Sequence, residues 1–358
     1  MTAEGRASFS GQGVPDLSIV IVNRNTCDLL KACLASLAAE DRAPETIVVD
    51  NDSTDGSVEL VRFHFPQITL IRNSENTGYA RANNQGIAAA RGRHVLLLNS
   101  DTEVRAGALD RLVEYLETNS RVGACGPLLR YPSGRVQPSC FSFPTPRTLF
   151  AQMSGLDAIF PRNRLFGTLQ RRAAEVRDSG QVEALLGAAL LVRREALEAV
   201  GGLDEELRIH YNDFDWCYRM HRAGWEVHFV ADAEVLHHSE ATTRLENRGL
   251  ALQGEIVRNL FAYYEKHFGE RGVRWARLWM SLGFGGRYLA FRALGAFRPA
   301  VSDPQASRFR LGMARAAWTG DPEQFGGPTS SISSNHDQAA NAPDRPRPSQ
   351  SRGQTLGP

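Results

Sequence analysis

The chain has 358 residues, 42% of them hydrophobic and 23% charged, enough apolar material for one large folded domain or two modest ones. Its 41 Lys and Arg against 40 Asp and Glu leave a net charge of +1, which argues against a globally basic nucleic-acid binder. Five cysteines without a C-x-x-C pair suit buried thiols in a reducing compartment. The first residues lack the apolar stretch of a signal peptide, and no run approaches the ~20 apolar residues needed to cross a bilayer. The expectation is a cytoplasmic protein, with attachment to the inner face of the plasma membrane left open.

Residues 1–15 are small and polar and read as a disordered leader. Leu17–Val22 is a continuous β-branched run, the signature of a strand buried on both faces. Leu29, Leu30, Cys33, Leu34 and Leu37 follow at helical spacing behind a candidate cap, Thr26. Thr46–Val49, Ile68–Ile71 and His94–Leu98 predict three more strands, separated by helices over 57–64 and 79–90 and followed by one over 106–118. Strands alternating with helix-length segments predict βαβ units and a parallel sheet. Residues 121–182 are broken by prolines, with an Arg-rich stretch over 160–175. Periodicity returns at Ala184–Val192, then a helix over 194–200, short strands at His228–Val230 and Glu234–Leu236, and a helix over 250–268. Residues 271–318 hold nine arginines and one acid, Asp303, interleaved with Trp, Leu, Phe and Tyr, a basic amphipathic pattern. The chain beyond 320 is Gly-, Pro- and Ser-rich and reads as disordered.

Parallel sheets bind ligands beyond the carboxyl ends of their strands, and polar residues fall at those ends: Asn23, Asp50-Asn51-Asp52, Asn73 and Asn99-Ser100-Asp101. The first strand runs into Asn23-Arg24-Asn25-Thr26 rather than a G-x-G-x-x-G loop, and there is no Walker sequence. A diphosphate would therefore be held through a divalent cation, Mg²⁺ or Mn²⁺, on a strand-end carboxylate. Asp101 fits that task, while Asp50 could accept a pyrimidine N–H at the other end of the same nucleotide.

The segments Ser18–Asn23, Val49–Ser57, Asn76–Gly86, Leu96–Asp101, Gly187–Arg194 and Tyr211–Arg219, followed by His237-His238, resemble the inverting family 2 glycosyltransferases of the GT-A fold, and within them a bacterial rhamnosyltransferase-like branch. The resemblance spans about residues 16–265. It implies an α/β, Rossmann-like, mostly parallel sheet with a nucleotide-binding half over 16–120 and an acceptor half over 121–268, trailed by a helical extension over 269–320 and a tail over 321–358. It implies that Asp50 and Asp52 read the base and ribose, and that Asn23, Asn76, Gly78, Arg81, Asn84, Asn99 and Ser100 line the donor pocket. Asn99-Ser100-Asp101 occupies the D-x-D position with Asn in place of the first Asp. Asp101 is then the metal ligand, joined by His237 or its neighbour His238. The family's acidic pair at a helix tip is Asn212-Asp213 here, so Asp213 inherits the general-base role, with Asp215 its rival. Gly187 and Ala188 would let backbone approach the sugar, and Asn212 and Trp216 would meet the acceptor.

The implied activity moves a sugar from a nucleoside-diphosphate donor to a hydroxyl of a glycan or lipid-linked acceptor in cell-surface polysaccharide synthesis. The donor it points to is dTDP-rhamnose, with a UDP-linked hexose or galactofuranose next. A sugar nucleotidyltransferase and a non-catalytic nucleotide- or glycan-binding relative are the competing readings. For 271–318, contact with an anionic membrane surface and packing on the domain both remain open, and nucleic acid is not expected as a partner.

Overall fold

A computed structural model describes residues 15–163, 165–167, 178–207, 211–239, 250–297, 311–315 and 317. The leader up to residue 14, most of the Arg-rich stretch and the tail beyond 320 lie outside these residues.

Four strands form the frame of the nucleotide half: β1 (Leu17–Asn23), β2 (Glu45–Asn51), β3 (Thr69–Asn73) and β4 (His94–Asn99). They lie in the order β3-β2-β1-β4, all parallel. The β1 run is almost wholly apolar up to Val22, Ser18 excepted, because both faces are covered. Ile19 and Ile21 turn to one side, against Leu30 and Leu34 of α1 (Cys27–Ala38) and Leu109, Leu112 and Leu116 of α4 (Ala108–Thr118). Val20 turns to the other side, with Ala80 and Ala82 of α3 (Tyr79–Ala89), as strand alternation requires. The small residues of α3 allow close approach: a Cβ on Gly86 would stand 2.2 Å from Val20 Cγ1. The short α2 (Ser57–His64) joins β2 to β3.

The second half departs from simple alternation. After β5 (Thr102–Val104) and α4, β6 (Val122–Arg130) is followed by an excursion through β7 (Cys140–Phe141), α5 (Pro146–Ser154) and α6 (Leu156–Ile159). Beyond it come β8 (Gly180–Val182), β9 (Ala184–Leu185) and β10 (Ala189–Arg193). The apolar stretch 184–192 is thus two strands broken at 186–188. β10 enters the sheet antiparallel between β4 and β6, while α7 (Arg194–Val200) and α8 (Asn212–Arg222) cover it. The two expected late strands are one, β11 (Glu226–His237), whose register slips between Val230 and Glu234 where a β-irregularity interrupts pairing with β6. The nine-stranded sheet reads β3-β2-β1-β4-β10-β6-β11-β5, with β8 also on β11.

The last helix, α9, runs Leu250–Phe297 as two limbs meeting at Gly269, whose φ of 62° interrupts the helix and lies in a region glycine enters without steric cost. Its first limb packs Val257, Leu260, Tyr263 and Tyr264 in a third apolar cluster with Tyr211 and Phe214 of the α8 region. The expected break at 268/269 therefore coincides with a kink inside one helix. All five cysteines are free, four of them buried. Among the described residues no helix is long and apolar enough to cross a membrane.

Candidate functional site

The parallel register sets the floor of the site. Asn23 stands opposite Asp50, and Val22 opposite Asn99, so three polar strand ends share one edge. Side chains then stitch them. Asn23 Nδ2 donates to Asp50 Oδ1 at 3.3 Å and to Ser53 Oγ at 3.2 Å. Thr26 Oγ1 donates to Asn23 Oδ1 at 2.6 Å and lies 2.9 Å from Ser100 Oγ. A continuous polar chain thus runs from β2 across β1 to the loop after β4.

Within this chain the two predicted base readers separate. Asp50 is 1% exposed; besides Asn23, it accepts the Ser53 N–H at 3.0 Å on Oδ2. Both its oxygens thus hold the turn. Asp52, with φ at 66°, is presented by that turn, and no hydrogen bond to its carboxylate exists among the described residues. Asn51, absent from the predicted set, is the hub of the next loop. It donates to Asn76 Oδ1 at 2.9 Å and accepts from Thr77 N at 3.0 Å and Asn73 Nδ2 at 3.1 Å. Gly78 caps α3 with φ at 87°, and Arg81, one turn on, is exposed. Arg24 adds a cation beside Asn23, its Nε buried without a hydrogen-bond partner.

Asn84 is engaged with the protein. Its amide bonds Leu203 O at 2.9 Å, Glu205 Oε1 at 3.0 Å and Leu203 N at 2.9 Å. It pins α3 to the loop after α7.

Asp101 and His237 come together from β4 and β11. His237 Nε2 is 3.3 Å from Asp101 Oδ1, with side chains 4% and 9% exposed. His237 Nδ1 lies 2.9 Å from Gln137 Oε1, a contact that orients the ring with Nε2 toward Asp101. A carboxylate and an imidazole so arranged fit two positions of a Mg²⁺ or Mn²⁺ shell, leaving the rest to water and diphosphate oxygens. No cluster of three protein ligands exists among the described residues. His238 turns away to Glu103 at 2.7 Å, whereas His237 faces Asp101.

Asp213, in the first turn of α8, is half-buried and accepts the Gly187 N–H on Oδ2 at 2.9 Å. Burial pushes its carboxyl up to about 6 while the Gly187 bond pulls the other way. A Cβ on residue 187 would stand 2.3 Å from Asp213 Oδ1, so glycine is required there by the approach of the carboxylate. Gly187 O accepts from Tyr79 Oη at 3.1 Å, and that hydroxyl also reaches Asn99 Oδ1 at 3.4 Å. Ala188 O accepts the Asn99 N–H at 2.9 Å. Asp213 is thereby tied through Gly187 and Tyr79 to the residue two before Asp101. Tyr79, another residue missed by the sequence reading, is raised by burial and by both aspartates and remains a hydroxyl donor.

Asp215, the rival base, is 0% exposed and pairs with Arg219 Nε, Lys266 Nζ and His267 Nε2, each at 2.8 Å. Burial would raise its carboxyl, but the His267 hydrogen bond, the Arg219 charge and the Lys266 hydrogen bond overcome that and hold it at about 2. A carboxylate so occupied is a structural anchor. Trp216 is also corrected: it is 0% exposed, its Nε1 donating to Gly201 O at 2.8 Å, so its ring has no face for a sugar. Ala188 and Asn212 are buried, at 2% and 4% exposed.

The comparisons with known proteins identify the family. Residues 18–199, just over half of the chain, match the family described as Glycosyl transferase family 2. The chain is 32% identical over 243 residues, 63% of its own length and 77% of the relative's, to N-acetylglucosaminyl-diphospho-decaprenol L-rhamnosyltransferase of Mycobacterium tuberculosis. It is 26% identical over 344 residues to the O-antigen biosynthesis protein RfbC of Myxococcus xanthus, covering 89% of this chain but only 26% of that protein. The fold is similar to that of mannosyltransferase PcManGT from Pyrobaculum calidifontis, solved with GDP-Man and Mn²⁺, at a TM-score of 0.53 and 19% identity over 88% of this chain and 86% of that one. The chain has the GT-A fold and belongs to glycosyl transferase family 2; it is a glycosyltransferase.

Proposed function

We propose that this glycosyltransferase moves a sugar, with inversion, from a nucleoside-diphosphate donor to a hydroxyl of a glycan or lipid-linked acceptor in polysaccharide assembly. Rhamnose from dTDP-rhamnose is the donor favoured by the similarity to the mycobacterial rhamnosyltransferase. Asp52, presented by the Asp50 turn, would read the base and ribose. Gly78, Arg81 and Asn76 would line the nucleotide, with Arg24 offsetting diphosphate charge. Asp101 and His237 would hold Mg²⁺ or Mn²⁺, which when bound neutralises the diphosphate leaving group. Asp213 would take the acceptor proton on Oδ1 as the hydroxyl oxygen bonds to the anomeric carbon and the diphosphate departs from the opposite face.

The observation that carries the reading is the single thread Asp213–Gly187–Tyr79–Asn99, which ends beside the Asp101–His237 pair. Its test is paired. Thermal shift against UDP-, dTDP- and GDP-sugars with Mn²⁺ identifies the donor, and nucleotide-diphosphate affinity is then compared for wild type and Asp101→Ala in Mn²⁺ and in EDTA. The expected result is a loss on Asp101→Ala of about 10- to 100-fold in Mn²⁺ and little in EDTA. Equal affinities under both conditions would remove the cation from the reading.

A further inference from the structure

The exposed large apolar side chains of this protein are gathered in one region. Ile159 at 66%, Phe160 at 50%, Leu165 at 60%, Trp275 at 51%, Leu282 at 55% and Leu289 at 66% belong to the α6 corner or to the second limb of α9; among the described residues only Phe63 lies elsewhere. Trp275, Leu282 and Leu289 recur every seven residues, which at helical pitch keeps them within about 40° of one line along the limb. The limb's opposite face is spent on the protein: Ala276 and Met280 are buried against Met313 and Ala317. The exposed stripe is therefore surplus to folding.

It also continues onto its neighbour. Trp275 stacks on Trp279, ring centroids 6.3 Å apart and planes within 12°. Trp279 meets Phe150 of α5 at 4.5 Å, and Arg287 donates to Gln152 O at 2.6 Å. α5 leads directly into α6 and its exposed Ile159 and Phe160. The charge around the stripe is predominantly positive, Glu270 pairing with Arg274 at 2.8 Å. Between Gly269 and Phe297 there are five arginines and one acid, Glu270, and Arg271, Arg274 and Arg292 are exposed.

We propose that this face docks on the surface of an anionic lipid bilayer, Trp275, Leu282 and Leu289 entering the headgroup boundary with Ile159 and Phe160 beside them, and the arginines meeting lipid phosphates. An apolar stripe rimmed by arginines is the pattern of a helix lying in the interface plane. A second copy of the chain is the poorer occupant, because it would set arginines against arginines. The proposal complements a lipid-linked acceptor but does not depend on it: sedimentation reads this face, whereas transfer to a water-soluble acceptor reads the cleft.

The experiment uses the full chain with vesicles of phosphatidylcholine, with and without phosphatidylglycerol. The expected result is cosedimentation with the anionic vesicles only, weakening as salt is raised. Leu282→Asp with Leu289→Asp, and separately Arg271→Gln with Arg274→Gln and Arg292→Gln, should each lower the partition by at least about tenfold, with unchanged melting temperature and unchanged nucleotide binding. Absence of binding to anionic vesicles, or binding undiminished in both variants, would overturn the proposal. So would a stable lipid-free dimer dispersed by the leucine variant, which would make the stripe a self-interface.

Discussion

The strand-end crevice and the start of α8 use carboxylates in different ways. At the ends of β1 and β2 the residues are mutually satisfied: Asp50, Asn23, Ser53, Thr26 and Ser100 form one closed chain of hydrogen bonds, a network that holds loops in place. At the start of α8, two carboxylates two residues apart are driven in opposite directions. Asp215 receives Arg219, Lys266 and His267 and sits at about 2, whereas Asp213 receives one backbone N–H and burial raises it to about 6. The crevice spends its carboxylate on holding loops, whereas on the proposed reading the helix start keeps one carboxylate for proton transfer. Environments that push paired acids apart are the usual mark of divided roles.

The strongest way to break this contrast is to neutralise Asp213. Asp213→Asn should lower turnover by about 10²- to 10⁴-fold while leaving donor binding intact; transfer at near wild-type rate would return the base role to another group. The same variant has a stability consequence with a definite sign. A carboxyl raised in the folded state favours folding when protonated, below its unfolded value of 3.8, and that contribution is lost as pH rises through about 6. At neutral pH the charge opposes folding, so Asp213→Asn should melt at the same or a higher temperature.

Asp215 should behave in reverse. Asp215→Ala leaves Arg219, Lys266 and His267 without their common anion and should cost about 3–5 kcal/mol in chemical denaturation. In the wild type this contribution is present above the ordinary value of 3.8 and is lost as pH falls toward about 2. If Asp215→Ala abolished turnover in a fully stable protein, the assignment of the two acids would have to be exchanged.

The pH profile sharpens the contrast without a mutation. The rate of transfer should climb through an apparent pKa near 6 on the acid limb, the value burial gives Asp213, and that limb should vanish in Asp213→Asn. The smallest effect belongs to Tyr79→Phe. Losing the hydroxyl that joins Gly187 to Asn99 should cost kcat about three- to tenfold, the worth of about one hydrogen bond, with KM for the donor little changed.

Much of the nucleotide half is legible in the chain itself. Its strands are continuous apolar runs with polar ends, and the polar ends meet because parallel register aligns them. What the residues alone cannot separate are neighbours of like chemistry. Asp50 and Asp52 differ in which one Ser53 and Asn23 claim, and Asn23 reaches Asp50 only because β1 and β2 pair. Asp213 and Asp215 are distinguished by Lys266 and His267, about fifty residues downstream. Trp216 was expected at the acceptor because an aromatic beside a candidate base invites stacking; its orientation is set by Gly201 O, a contact no local pattern announces. Asn84 is similar, its partners Leu203 and Glu205 lying in a distant loop. β11 reads as two strands because the slip between Val230 and Glu234 disrupts its alternation.

The Lys266–His267 clasp on Asp215 has a practical consequence for anyone trimming this protein. The region matched by the family ends at residue 199, yet the counter-ions that separate the two α8 acids arrive from α9. A version cut ahead of Leu250 would keep every strand of the sheet while leaving Asp215 with Arg219 alone. Its neighbour would then titrate beside a poorly shielded anion, and the enzyme's acid limb would drift upward in pH even though no residue of the cleft had been touched.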